Sequence, residues 1–197
     1  MHDTPADNEP GTATQYLDPS SPPRKRLCDG LTVWLTGLPS AGKTTIAFGL
    51  AERLARDGHP VEVLDGDIIR RSLCGDLGFT ASDRNENVRR VGFVAHLLSR
   101  NGVVAVCALI SPYRVAREEV RALHDGRFFE VHIATPQPVC AKRDVKGLYA
   151  RREAGVIANL TGVDDPYEVP IKPDLIVPTE VQTIQQSIEM VWAALPR

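Results

Sequence analysis

After Gly30 the chain alternates between short apolar runs and longer stretches in which apolar residues recur at helical spacing. The apolar runs are Leu31–Leu35, Val61–Leu64, Val103–Ile110, Phe128–Ile133 and Leu175–Val177. They are rich in Val and Ile and mostly lack polar alternation, as expected of parallel strands covered on both faces. Between them, Thr44–Arg56, Asn85–Ser99, Val115–His124 and Val181–Ala194 carry the helical period. Such alternation predicts an α/β fold, a doubly wound and mostly parallel five-stranded sheet flanked by helices and joined by right-handed crossovers. In Asn85–Arg100, Val88, Val91, Val94, Ala95 and Leu98 form one apolar face, expected to pack on the sheet or, failing that, to form a homodimer seam.

Upstream of Gly30 the texture differs. Residues 1–26 hold five of the fifteen prolines and few apolar side chains, too few to offset the entropy of ordering them. The expectation is a flexible Pro-rich tail over 1–29 and a single domain over 30–197. Arg24-Lys25-Arg26 within the tail reads as a solvated charge run.

Composition narrows the partners. The 197 residues carry 23 Lys plus Arg against 25 Asp plus Glu, a net charge of -2. No whole-protein field is available to hold a nucleic acid or an anionic membrane, so any anion site must be local. Cys28, Cys74, Cys107 and Cys140 lie far apart, without the spacing of a zinc knuckle or redox dithiol. The five histidines form no pair at ligand spacing. With neither a signal peptide nor a long apolar run in view, a reducing cytoplasm is the expected setting.

The first apolar run leads into Gly37-Leu38-Pro39-Ser40-Ala41-Gly42-Lys43-Thr44-Thr45, a match to the phosphate-binding pattern of Gly, four residues, Gly-Lys-Ser/Thr. Glycines permit the positive φ that brings backbone N–H groups onto phosphate oxygens, and the helix that follows points its positive end at the same anion. Lys43 then reaches the β and γ phosphates of a nucleoside triphosphate, and the Thr44 hydroxyl ligates Mg²⁺. Placement between strand and helix makes a chance match improbable, and ATP is the expected co-substrate.

The second apolar run ends in Asp65-Gly66-Asp67, which puts two carboxylates where open α/β sheets bind ligands. One can take a proton from an attacking hydroxyl while the other holds Mg²⁺, directly or through water. Arginines follow densely: Arg70, Arg71, Arg84, Arg89 and Arg90, with Asn85 and Asn87 among them. Their planar forks suit a second anionic ligand; with Asp83 and Glu86 close by, a salt-bridged helix face is the other reading.

These residues, with DLGF at Asp76–Phe79, LISPYR at Leu109–Arg114, RDVKGLY at Arg143–Tyr149 and LTGVDDPYE at Leu160–Glu168, resemble the adenylyl-sulfate kinases over Gly30–Leu195. The resemblance implies a P-loop kinase with a helical lid segment that moves the γ-phosphate of ATP to the ribose 3′-hydroxyl of adenosine 5′-phosphosulfate (APS). The products are ADP and the activated sulfate donor PAPS, and the setting is sulfate assimilation. It assigns Asp65 and Asp67 to the region of Mg²⁺ and the 3′-hydroxyl, with Asp65 favoured as proton acceptor. Arg70, Arg84 and Asn87 hold the sulfonucleotide, Phe79 stacks on its adenine, Ile110 and Ser111 line its pocket, and Lys146 contacts it from the lid. Some relatives phosphorylate a serine at the position of Ser111, although direct in-line transfer is the simpler mechanism. A homodimer is common in the family.

Two departures bear on the acceptor. Many relatives carry Phe-Thr-Gly where this chain has Leu160-Thr161-Gly162, and that Phe closes the second face of the adenine sandwich; a stacked aromatic is worth about 1–3 kcal/mol per base. Ala150-Arg151-Arg152-Glu153 also departs from the lysine-rich lid of relatives. The expectation is weakened acceptor binding or a relaxed choice of base, with Leu160→Phe tightening acceptor binding. The rival readings are an acceptor with a different 5′ modification, or a non-catalytic nucleotide-binding regulator.

Overall fold

The computed structural model describes residues 30–196, so the expected tail over 1–29 lies outside the described residues. In chain order the elements are β1 (Leu31–Thr36), α1 (Lys43–Arg56), β2 (Val61–Asp65), α2 (Gly66–Arg71), α3 (Ala81–Arg100) and β3 (Val104–Ala108). There follow α4 (Arg114–Leu123), β4 (Phe128–Ile133), α5 (Gln137–Arg143), α6 (Leu148–Glu153), β5 (Leu175–Val177) and α7 (Ile184–Ala194). All five strands pair in parallel in the order β2-β3-β1-β4-β5. The α/β fold is as expected, and the sheet is parallel throughout.

β1 sits at the centre of the sheet and is buried along its whole length. Successive strand residues point to opposite faces, which divides the core in two. Leu31, Val33 and Leu35 pack with Ile46, Leu50 and Leu54 of α1 and with Ile188 and Val191 of α7. Trp34 faces the other way, among Val88, Val91 and Ala95 of α3 and Ala116 and Val120 of α4. The apolar face of α3 is therefore spent on the sheet. Its contact with α4 is close: a Cβ on Gly92 would lie 2.4 Å from Val120 Cγ2.

Differences from the predicted elements have local causes. The run expected to reach Ile110 leaves the sheet after Ala108, and the chain bends at Ser111 with φ +41°. Helix α3 starts at Ala81, four residues before the periodic stretch, because Thr80 and Asp83 form a capping box that satisfies orphan N–H groups. Thr183 and Gln186 do the same for α7 and leave Val181 outside it. Among the described residues no helix is long and apolar enough to cross a membrane.

Candidate active site

The C-terminal ends of β1, β2 and β3 open onto one cleft of about 450 Å³. From β1 comes the phosphate loop. Gly42 adopts φ +106° with nothing near a Cβ, so here conformation rather than space requires glycine, whereas at Gly37 a Cβ would lie 2.7 Å from Ile133 O. Ser40 holds φ +61° without being glycine, in a left-handed region that costs L-residues about 1–2 kcal/mol. A loop with such turns running into a helix N-terminus is the kind of backbone that binds phosphate through its N–H groups. Tyr149 of α6 donates to Pro39 O at 3.3 Å, and Arg143 of α5 donates to Ala41 O at 3.3 Å, so both short helices brace the loop.

Lys43 opens α1 and is buried. Its ammonium donates to Gly37 O at 2.9 Å and Leu38 O at 2.8 Å. Burial, with the neighbouring Lys146 ammonium adding to it, lowers its pKa to about 8. The carboxylates of Asp67 and Asp65 offset this only in part, and an anion bound beside Lys43 would favour its charged form.

Asp65 ends β2 and is only 5% exposed. Its Oδ1 accepts from the backbone N–H groups of Asp67 and Ile68, capping α2, and its Oδ2 accepts from the Thr44 hydroxyl at 2.8 Å. Strand β2 and the P-loop helix are thereby joined at the cleft floor. Asp67 lies farther out, half-exposed and ion-paired with Lys146 across the cleft. That pair connects the acidic strand end to the turn between α5 and α6, where the lid was expected. A hydroxyl beside a carboxylate is an all-oxygen donor set suited to Mg²⁺, which binds through one or two protein oxygens and completes its shell with phosphates and water. Among the described residues no three His, Cys, Asp or Glu side chains form a metal cage.

The opposite wall comes from α2, the start of α3 and the segment after β3. Arg70, Phe79, Arg84, Asn87, Ile110, Ser111 and Lys146 all line the cleft. Phe79 is 59% exposed, with the guanidinium of Arg70 4.6 Å and that of Arg84 5.5 Å from its ring centre. Arg70 is made less basic by its partial burial and then by Arg84 beside it, and Arg84 also meets Asp165 Oδ2 at 3.4 Å. Asn87 Oδ1 is buried and has no hydrogen-bond partner, leaving an acceptor for a ligand donor. Ser111 is 2% exposed. Its Oγ accepts from Trp34 Nε1 at 3.1 Å and donates to Thr36 Oγ1 at 3.0 Å.

The arginine cluster divides. Arg70 and Arg84 line the cleft, while Arg89 pairs with Glu119 and Arg90 with Asp76 and Glu86, so the salt-bridged helix face describes these last two. Leu160 stands apart. It is 6% exposed and packed in the core on the α1 side of the sheet, where a nonpolar side chain gains from burial and presents no face to the cleft. Gly37, Leu38 and Ala41 belong to the phosphate loop but do not line the cleft itself. Sequence reasoning assigned no role to Thr36, Arg117, Asp165 or Tyr167, which the structure ties to the acceptor wall. Arg117 lies buried in a helix that reads as polar, so the pattern carried no signal for it.

A nucleotide-triphosphate loop facing an arginine-lined pocket, with carboxylates between them on a parallel α/β sheet, defines a P-loop phosphotransferase. Comparison with known proteins gives the particular family. The adenylylsulphate kinase family model matches residues 29–178, and the chain belongs to the adenylyl-sulfate kinase family. It is 51% identical over 166 residues to the adenylyl-sulfate kinase of Synechococcus sp. (strain JA-3-3Ab), covering 84% of this chain and 94% of that protein. The Picosynechococcus sp. adenylyl-sulfate kinase is 52% identical, covering 84% and 93% of the two chains. Among solved structures, the Mycobacterium tuberculosis APS kinase in complex with AMPPNP and APS superposes with a TM-score of 0.82 at 40% identity, covering 85% of this chain and 98% of that one.

Proposed function

We propose that the chain transfers the γ-phosphate of ATP to the 3′-hydroxyl of adenosine 5′-phosphosulfate, giving PAPS and ADP. The observation that carries this reading is that Lys43, Asp65 and Arg84 line one cleft, so that a donor site and an anion-binding acceptor site meet at a pair of carboxylates. Family membership and the APS-bound relative support it.

Phosphoryl transfer asks a protein mainly for alignment and neutralisation of charge. In this reading the loop amides and Lys43 hold the β and γ phosphates. Thr44 and Asp65 are the residues that would hold Mg²⁺, which when bound offsets charge on the phosphates. Arg70 and Arg84 orient the anionic end of the acceptor, Phe79 offers an aromatic face to its base, and Asn87 accepts from a ligand N–H or O–H. Asp65, fixed at both oxygens, takes the proton of the acceptor hydroxyl, and Asp67 exchanges its partner Lys146 for ligand. Direct transfer is favoured over a phosphoserine, since the Ser111 hydroxyl is enclosed between Trp34 and Thr36. The reading also carries a homodimer, supported by family resemblance and by the half-exposed Phe93 on α3, and a reducing cytoplasm, supported by the free buried Cys74, Cys107 and Cys140.

Incubation with Mg-ATP and a panel of 5′-modified nucleotides, followed by mass spectrometry, tests the assignment. Selective conversion of adenosine 5′-phosphosulfate to a 3′-phosphorylated product is the expected result. Turnover of a different nucleotide, or nucleotide binding with no acceptor phosphorylated, would overturn it.

A further inference from the structure

The LTGVDDPYE block contributes no residue to the cleft lining, yet its polar groups attach to two parts of the acceptor wall and to helix α6. Arg84 is held first. Its Nη2 donates to Asn159 O at 2.7 Å and meets Asp165 Oδ2 at 3.4 Å, while its Nε donates to Phe79 O at 2.9 Å. The guanidinium is thus aimed by the backbone before and the carboxylate within this block.

The turn after β3 is held second. Tyr167 OH lies 3.0 Å from Thr36 Oγ1, which donates to Ile110 O at 2.8 Å and accepts from Ser111 Oγ. Glu168 N donates to Pro112 O at 2.8 Å, and Glu168 Oε2 accepts from Arg114 N at 2.7 Å. Buried Arg117 closes the frame by donating to both Ser111 O and Glu168 O, itself neutralised by buried Glu130 at 3.0 Å. Ser111 sits at φ +41°, a conformation a short loop keeps only when its surroundings over-determine it.

Helix α6 is held third. Arg152 donates to Asp164 Oδ1 at 2.6 Å, and Asp164 Oδ2 accepts from Leu160 N at 3.1 Å. Burying Leu160 in the core anchors the block to the rigid sheet.

We infer that residues 159–168 form a brace that positions the acceptor half of the cleft, with Asp165 and Tyr167 as positioning residues that set acceptor affinity without touching the nucleotide. Asp165 fixes the reach of Arg84. Tyr167 fixes the Ile110–Ser111 turn through Thr36. The side-chain hydrogen bonds of Asp165 and Tyr167 go to Arg84 and Thr36, while those that hold the donor loop come from Arg143 and Tyr149.

The inference rests on the proposed acceptor for its kinetic test, and on the geometry alone for its second test. Tyr167→Phe removes one hydroxyl and keeps the ring that stacks on His132 at 6.0 Å; Asp165→Asn removes one charge. Each is expected to raise the KM for adenosine 5′-phosphosulfate about tenfold, the worth of one lost hydrogen bond, with the KM for ATP within about twofold of wild type by the same reasoning. Equal rises in both constants, or no rise in either, would overturn the brace. The second test needs no turnover. Hydrogen exchange followed by mass spectrometry on unliganded Tyr167→Phe is expected to show faster exchange in the 109–114 peptide and unchanged exchange in the 37–45 peptide. Unaltered exchange at 109–114, or acceleration throughout the domain, refutes the positioning role even if the wild-type protein uses another acceptor. Failure of wild type to phosphorylate adenosine 5′-phosphosulfate, with the peptide result intact, counts against the substrate and not against the brace.

Discussion

The two halves of the cleft are built in opposite ways. The donor half comes from nine consecutive residues, Gly37–Thr45, whose turns, buried lysine and helix start are all local to that stretch. The acceptor half gathers Arg70, Phe79 and Arg84, the turn at Ile110–Ser111 and the brace over 159–168, segments separated by dozens of residues. Short-range geometry dictates the first, and long-range packing dictates the second. Damage to the donor half should therefore show in chemistry, and damage to the acceptor half in affinity.

The harshest test of that division falls between the halves. Asp65→Asn should lower kcat by about 10²–10⁴, the usual contribution of a positioned proton acceptor, while calorimetry still shows ATP binding. Turnover near wild type would remove Asp65 from that role. Next in size, Arg84→Ala should raise the KM for acceptor by about 10–100-fold, since a hydrogen bond to a charged group is worth about 1.5–3 kcal/mol. If the KM for ATP rose in step, the separation of the halves would fail.

A smaller effect concerns Leu160. Read from sequence, Leu160→Phe restores a stacking partner; read from the structure, it forces a larger ring into a filled core, at a cost of about 1–3 kcal/mol. The expected outcome is a Tm lowered by about 2–10 °C in a domain of this size, with no gain in acceptor affinity. Tighter acceptor binding at unchanged Tm would reinstate the stacking role.

The subtlest expectation is a proton count. Free Lys43 titrates near pH 8 because burial disfavours its charge, and bound phosphates favour the charged form. Lys43 is mostly protonated before binding at pH 7 and mostly neutral at pH 9. ATP binding should therefore take up protons, by an amount that rises from pH 7.5 toward 9 and stays below one per site. Calorimetry in buffers of different ionisation enthalpy measures it, and Lys43→Met should abolish the uptake. Uptake that is zero or falls with pH would contradict the burial argument.

The arginines and the leucine show how far the sequence could be read. Arg70, Arg84, Arg89 and Arg90 are one charge run on the page, and nothing in their order separates the two that face the cleft from the two that pair with Glu119, Asp76 and Glu86. Glu119 is thirty residues from Arg89, so the division appears only once α3 and α4 are packed. Leu160 was legible as a departure from the family pattern, but its burial was not, because the core it joins is assembled from β1, α1 and α7.

From the sequence alone came the α/β alternation, the phosphate loop with its reasons for Gly42 and Lys43, the carboxylate pair at the end of β2 and the resemblance to adenylyl-sulfate kinases. Each is written in neighbouring residues or in the period of apolar positions, where local sterics and the hydrophobic effect leave few alternatives. The tertiary structure alone decided which arginines point inward, that the Ser111 hydroxyl is enclosed, and that the segment after α6 braces one wall of the cleft. Those outcomes depend on buried hydrogen bonds between distant segments, such as Tyr167 to Thr36 and Arg117 to Glu168. Such bonds form only where the packed core brings the partners together and excludes the water that would otherwise satisfy them.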